Sequence, residues 1–395
     1  MFLGDFAHRP YDYPWAQPFE SRFAQLLSRP RRIAYYYTQP DNSTFRYRCY
    51  NMVEAIMRGA QDASACWFRQ SDGRDLARVV DVADVLVLGR VQYDTDVGDL
   101  IKNARKRGVR VLFDVDDLVF DPSCIELLMS SLAQDMGPTG PWDYWYAYVG
   151  RLSDTLRRCD AAITTNAFLA AQIEQRAGLP AAVAPNFLNA DQLAVSEAAW
   201  NAKADNGWAR DGRIHIGYFS GSPSHARDLA IVAPTLAGLL DADRSVHVHL
   251  AGYIDPNSEL AKRRDRVEVL PFTDYVNLQR MIAATEINIA PLQENTFTNC
   301  KSELKYFEAA IVGTVTVASP TIVFSQAIVD GATGFLANEL QWGDKLDSAM
   351  ELVAEGGEAF HAMLSAARAD AVNRYQWRGQ WERIERAAFG AASGA

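Results

Sequence analysis

The sequence contains no apolar run long enough to cross a bilayer, no CxxC pair and no excess of basic residues. The first absence excludes a membrane-spanning helix. The opening residues, MFLGDFAHRPYDYPW, also lack the apolar centre of a signal peptide. The cysteines Cys49, Cys66, Cys124, Cys159 and Cys300 are scattered without metal-ligand spacing. They read as reduced thiols, and with the missing leader they point to the cytoplasm. A net charge of -10 argues against a nucleic-acid partner, which would select a basic face. No GxGxxG, no Walker loop, no Ser-His-Asp set and no acid pair at glycosidase spacing is present.

One stretch departs from the acidic average. Residues 19–32, FESRFAQLLSRPRR, mix Phe23, Leu26 and Leu27 with Arg22, Arg29, Arg31 and Arg32. Two readings fit it: peripheral contact with an anionic membrane face, or a short helix leading into the first strand.

What is present is a repeating alternation of short apolar strands and amphipathic helices. At 395 residues, with 49% hydrophobic and 22% charged, the chain can fill two soluble cores. The first set of strands is expected at 32–38, 83–89, 109–115, 160–165 and 181–186. The second lies at 213–219, 246–252, 267–271, 287–292 and 314–319. This alternation predicts two doubly wound parallel sheets in tandem, with a ligand in the cleft at the carboxyl ends of strands. The boundaries follow: an arm over 1–30, a first domain over 31–190, a polar, Ala-rich linker over 191–212, a second domain over 213–375 and a last helix over 376–395. Residues 121–148, rich in Pro, Gly and aromatics, read as an insertion.

Several stretches can carry chemistry at that cleft. Gly221, Ser222 and Ser224 form a tight turn after the strand at 213–219, and its backbone N–H groups can approach an anion. His225 and Arg227 follow in the next helix. Near residue 300, Asn299, Lys301 and Ser302 are expected at a helix start, where a cation opposes the dipole unless an anion lies between. Glu308 falls on the same expected helix face, placed for ribose hydroxyls. The bland alternatives are a solvated lysine and a half-exposed carboxylate. Asp116 and Asp117 end the strand at 109–115, and either hold an acceptor hydroxyl or cap the next turn. Asn42, Ser43, Thr44, Arg46 and Arg48 follow the first strand, with one arginine expected to reach a ligand.

LKYFEAAIVGTVTVAS followed by AIVDGATGFLA is similar to the donor signature of GT-B retaining glycosyltransferases, family 4 in particular. YYYTQPDNSTFRYRCYNMVEAI, FDVDDLVFD and YFSGSPSHARDL extend the resemblance toward a subgroup that builds bacterial polysaccharides, including rhamnosyltransferases. The resemblance implies two Rossmann-like domains facing a central cleft, acceptor side first and donor side second. It implies a nucleotide-sugar donor, dTDP-rhamnose or otherwise a GDP- or UDP-sugar, a glycan or lipid-linked acceptor, and no metal or other cofactor. Glu308 would bind the donor ribose. Lys301, Ser302, Gly221 and Ser222 would hold the diphosphate, and Arg227 would stand for a phosphate-binding lysine. The last helix, with Trp377 and Trp381, would cross back to the first domain. The family pairs Glu308 with a second Glu eight residues earlier, where this chain has Cys300, so Glu294 and Asn299 are the candidate substitutes. Two rivals share the fold: a nucleotide-sugar 2-epimerase, whose further acidic and histidine motifs are missing, and a degenerate, non-catalytic binding subunit.

Overall fold

The computed structural model describes residues 1–220, 226–252 and 259–390. The expected Gly221, Ser222, Ser224 and His225 lie outside the described residues.

The first sheet has six parallel strands: β1 Arg31–Tyr37, β2 Ala63–Arg69, β3 Val85–Gly89, β4 Arg110–Val115, β5 Ala161–Thr164 and β6 Ala181–Val183. Their order is β2-β1-β3-β4-β5-β6. The second sheet contains β7 Ile214–Phe219, β8 Val246–Ala251, β9 Val267–Leu270, β10 Ile287–Ala290, β11 Val315–Ala318 and β12 Phe335–Leu336. It runs β12-β11-β10-β7-β8-β9, again all parallel. Each strand order reverses once, between β1 and β3 and between β7 and β10. Loops leaving those strands diverge there and open a crevice at the carboxyl edge of each sheet.

Two strands escaped the sequence reading. In β2, ASACWFR, small residues interrupt the β-branched pattern, yet seven register pairs join it to β1. β12 is two residues inside the DGATGFLA turn, paired to β11 through Val317↔Phe335.

The expected linker contains a sixteen-residue helix, Ala190–Asp205, started by a capping box between Asn189 and Gln192. Lys203 on this helix is fully buried and donates Nζ to the carbonyls of Val312 (2.7 Å) and Gly313 (3.0 Å). It thereby satisfies carbonyls just beyond helix Leu304–Ala310. Gly313 turns with φ +68°, and a Cβ there would come within 2.8–2.9 Å of Trp208 and Trp200. The expected insertion is likewise ordered, as helices Ile125–Ser131 and Thr139–Arg157.

The amino-terminal arm is a strap across both domains. Phe2 sits in the core of the second. Tyr11 donates to Asp191 Oδ2 at 2.6 Å, and Trp15 packs into the first core beside Tyr275. The basic stretch at 19–32 is docked on protein. Arg22 is buried and forks onto Asp72 at 2.7 and 2.8 Å. Arg29 donates to the carbonyls of Ile56, Ala63 and Met57. Arg31 pairs with Glu385, and Arg32 donates to the Arg29 and Val82 carbonyls. Its cations are therefore engaged with the protein's own acceptors, which favours the reading of a short helix, Phe19–Leu26, leading into the first strand. At the other end of the chain, helix Gln380–Phe389 places Ile384, Ala387 and Ala388 in the first-domain core.

Candidate active site

A cavity of about 740 Å³ lies between the two sheets and is lined from both. The second domain supplies Lys301, Ser302, Lys305 and Glu308; the first supplies Asn42, Ser43, Thr44, Arg46, Tyr47, Arg90, Asp116 and Asp117.

On the second-domain wall, helix Leu304–Ala310 begins three residues after Lys301, and Glu303 occupies its cap position. Lys301 therefore lies in the turn before the helix rather than in its first turn, and the expected clash with the helix dipole does not arise. The basic group on the helix is Lys305, which the sequence reading missed. It precedes Glu308 by three residues, so both point to one face. Burial and the nearby Lys301 charge push the Lys305 ammonium down to about 8, against the pull of Asp228 and Glu308. Its Nζ rests over the Tyr218 ring at 4.3 Å. Lys301 stands 3.8 Å from Asp117 across the cleft.

Glu308 is only 3% exposed. Its Oε1 accepts from the Tyr47 hydroxyl at 2.5 Å and from Gln192 Nε2 at 3.5 Å, and lies 3.5 Å from Arg46. Arg46 and Tyr47 sit on a π-helical turn, Arg46–Tyr50, whose wider winding presents consecutive side chains to the cleft. Arg46 is buried, stacks 4.0 Å from the Tyr47 ring centre and 5.0 Å from that of Tyr275, and its Nε and Nη1 have no hydrogen-bond acceptor.

On the first-domain wall, Asp116 accepts from Thr44 (3.0 Å) and from Arg90 (3.1 Å), and Arg90 also reaches Asp117 at 3.3 Å. Burial raises the Asp116 carboxyl above its ordinary range, with Asp117 adding to the rise and Arg90 opposing it. Arg90, also missed, turns out of β3 with φ +49°, a conformation that costs a non-glycine residue about 1–2 kcal/mol. That turn holds its guanidinium between the two carboxylates and the Tyr148 hydroxyl.

Four expected site residues lie elsewhere. Arg48 is fully buried and forks onto Asp114 at 2.7 and 2.9 Å, with further bonds to Ala184 and Asn186. It ties β4 to the end of β6, and it sets Asp114 apart from Asp116, because Asp114 is bound to it while Asp116 faces the cavity. Arg227 reaches Ser130 at 2.7 Å, outside the cavity lining. Asn299 accepts from Ile322 N–H at 2.9 Å, serving the first turn of helix Ile322–Ala327. Glu294 is solvent-exposed outside the cavity, and Cys300 is completely buried against first-domain residues. No carboxylate or amide at 294, 299 or 300 thus reaches the cavity wall that Glu308 occupies.

Residues 215–354 match the family model described as glycosyl transferases group 1. No curated protein matches the sequence. Among solved structures, the Anabaena protein HepE in complex with UDP-glucose is 14% identical, with a TM-score of 0.58 over 90% of this chain and 98% of that one. WaaG, a glycosyltransferase involved in lipopolysaccharide biosynthesis, is 13% identical, with a TM-score of 0.56 over 92% of this chain and 100% of its own. Sucrose-phosphate synthase from Thermosynechococcus elongatus is 14% identical, with a TM-score of 0.59 over 90% and 97%. Identities this low carry the fold. The two facing Rossmann-like domains are accordingly the GT-B fold, and residues 215–354 are similar to glycosyl transferases group 1.

Proposed function

We propose that the protein is a glycosyltransferase that moves a sugar from a nucleotide-sugar donor to a glycan or lipid-linked acceptor. One observation carries this reading. The interdomain cavity sets two cations and a buried carboxylate on its second-domain wall against two carboxylates on its first-domain wall. Breaking the bond from the anomeric carbon to a nucleoside diphosphate puts negative charge on the leaving group. Lys301 and Lys305 are placed to stabilise that charge. The second oxygen of Glu308 is the acceptor for ribose hydroxyls, since Oε1 is already bonded. Asp116 and Asp117 orient an acceptor hydroxyl from the opposite wall, and the departing diphosphate takes its proton on the same face, giving retention. UDP-glucose in the HepE complex supports a UDP-sugar donor, whereas the resemblance in the signature leans to dTDP-rhamnose. A role in bacterial polysaccharide assembly rests on that same resemblance.

A second reading, a binding subunit without turnover, has one observation in its favour: Cys300 stands where the family's first Glu would, buried away from the cavity. Thermal shift with UDP, GDP, dTDP and CDP separates the cases from a fold without a donor site. A nucleotide at about a hundred times its Kd adds about 2.7 kcal/mol of stability. The transferase reading expects one nucleotide to stabilise the wild type, Lys305→Met to shrink that effect, and the matching sugar nucleotide to be consumed on addition of a glycan. No shift with any nucleotide at millimolar concentration rejects donor binding; a shift without turnover favours the binding subunit.

A further inference from the structure

The helix Thr139–Arg157 opens with Trp142, Tyr144, Trp145, Tyr146 and Tyr148 within its first ten residues. Tyr144 is 60% exposed and Tyr146 53%, unusual for rings on the outside of a soluble domain. They are arranged in parallel pairs one turn apart. Trp142 and Tyr146 stack at 6.3 Å and 28°, and Tyr144 and Tyr148 at 6.1 Å and 14°. The polar edges of the indoles are engaged: Trp142 Nε1 donates to the Met136 carbonyl and Trp145 Nε1 to Gln134 Oε1. That fixes the indoles. Trp145, edge-on to both Tyr144 and Tyr148, lines the interdomain cavity together with Leu132, Ala133 and Gln134 and so joins this pair to the site. Ala133 in the same wall has φ +55°, and the Tyr148 hydroxyl accepts from Arg90 Nε at 3.1 Å, a second link to the site.

We propose that this aromatic ledge is an acceptor subsite that stacks pyranose rings of a neutral glycan as it enters the cavity. The inference rests on the glycosyltransferase reading and deepens it. One face of a pyranose is a patch of C–H groups, which fits the electron-rich face of an aromatic ring. Ring hydroxyls at its edge need acceptors, and the charged residues over 132–148 are Asp135 and Asp143 alone. The same charges disfavour the other surface that attracts exposed Trp and Tyr, an anionic bilayer, which is held by Lys and Arg.

The test is an array of defined neutral oligosaccharides probed with the wild type and with Tyr144→Ala/Tyr146→Ala in the presence of UDP. The array is run beside phosphatidylglycerol vesicles and a nucleotide thermal shift. Both substituted rings are exposed, so the variant keeps the core. The wild type is expected to bind at least one oligosaccharide, and the double variant to bind it about tenfold more weakly with an unchanged nucleotide shift. Binding to no oligosaccharide, equal binding by the variant, or vesicle binding that the variant loses instead would each overturn the ledge. A missing nucleotide shift beside a variant-sensitive glycan signal would reject the donor site and leave the ledge standing.

Discussion

Tyr47, from the first domain, donates its hydroxyl to Glu308 of the second at 2.5 Å, with Arg46 3.5 Å from the same oxygen. This contact gives Glu308 a structural part beside the ribose contact proposed for it. Arg46 is buried, so deleting the carboxylate leaves a cation with no counter-charge inside the protein. Glu308→Leu is therefore expected to cost about 3–5 kcal/mol, and adding Arg46→Met to recover most of that loss. Thermal melts of both variants check this; a double variant no more stable than the single one would show that Arg46 is not the cause. Glu308→Gln, which keeps the shape, is the better variant for reading nucleotide affinity.

Lys305 sets a pH dependence. In the proposed donor site its protonated form would bind the diphosphate, and burial lowers its pKa to about 8. Donor affinity is then full below that value and weakens as the pH rises through it. Affinity for the stabilising nucleotide, measured from pH 7 to 9.5, is expected to fall over that range in the wild type. In Lys305→Met it should be low and flat. The folding term has its own sign: between about 8 and the ordinary lysine value the unfolded chain holds more protons, so stability contributed by this group rises with pH there. A nucleotide affinity that follows pH equally in both proteins would remove Lys305 from the diphosphate site.

Asp114 and Asp116 are two residues apart and have different work. Asp114 is 1% exposed and forked by Arg48, so Asp114→Ala strands a buried guanidinium and should cost about 3–5 kcal/mol. Asp116 faces the cavity and shares Arg90 with Asp117. Asp116→Asn is expected to leave the melting temperature within a few degrees and to lower turnover at least tenfold. Melting curves and sugar-nucleotide consumption, measured on both variants, distinguish the roles. Loss of stability in Asp116→Asn with normal turnover would reverse the assignment.

These roles mark where the sequence was legible. The β/α alternation shows the two parallel sheets because strands buried on both faces carry continuous apolar runs. β2 was hidden because Ala63, Ser64, Ala65 and Cys66 have little strand preference, and only pairing with β1 makes them a strand. Glu308, Lys301 and Asp116 stood out because charge is conspicuous among apolar neighbours. Lys305 did not, since a lysine on a helix is commonly a solvated one and only the opposing domain makes its surroundings a cavity. Arg46 and Arg48 show the limit most directly. They are two residues apart with the same side chain, and a π-helical turn sends one to the cavity and the other to Asp114. Arg90 had a local signal, a long cation directly after the last glycine of β3, but its left-handed φ is visible only in three dimensions.

Gly313 closes the signature helix under two constraints at once. Its φ of +68° is costly for any residue with a Cβ, and the added atom would lie 2.8 Å from Trp208 and 2.9 Å from Trp200. The tryptophans are large rings held by their neighbours, with Trp200 and Trp208 edge to face at 4.9 Å. Relief would have to come from the backbone, whose Val312 and Gly313 carbonyls bind Lys203. Moving them weakens the acceptors of a buried ammonium, so the cost exceeds the about 1–2 kcal/mol of a left-handed alanine alone. Gly313→Ala is expected to lower the melting temperature by several degrees and, because helix Leu304–Ala310 shifts with its end, to weaken nucleotide binding in parallel. Gly331→Ala is the control: it too has a positive φ, +77°, but nothing within 4 Å of its Cβ. Thermal melts with and without nucleotide measure both effects. Equal losses in the two variants would assign the whole cost to backbone conformation and none to the Trp200–Trp208 wall.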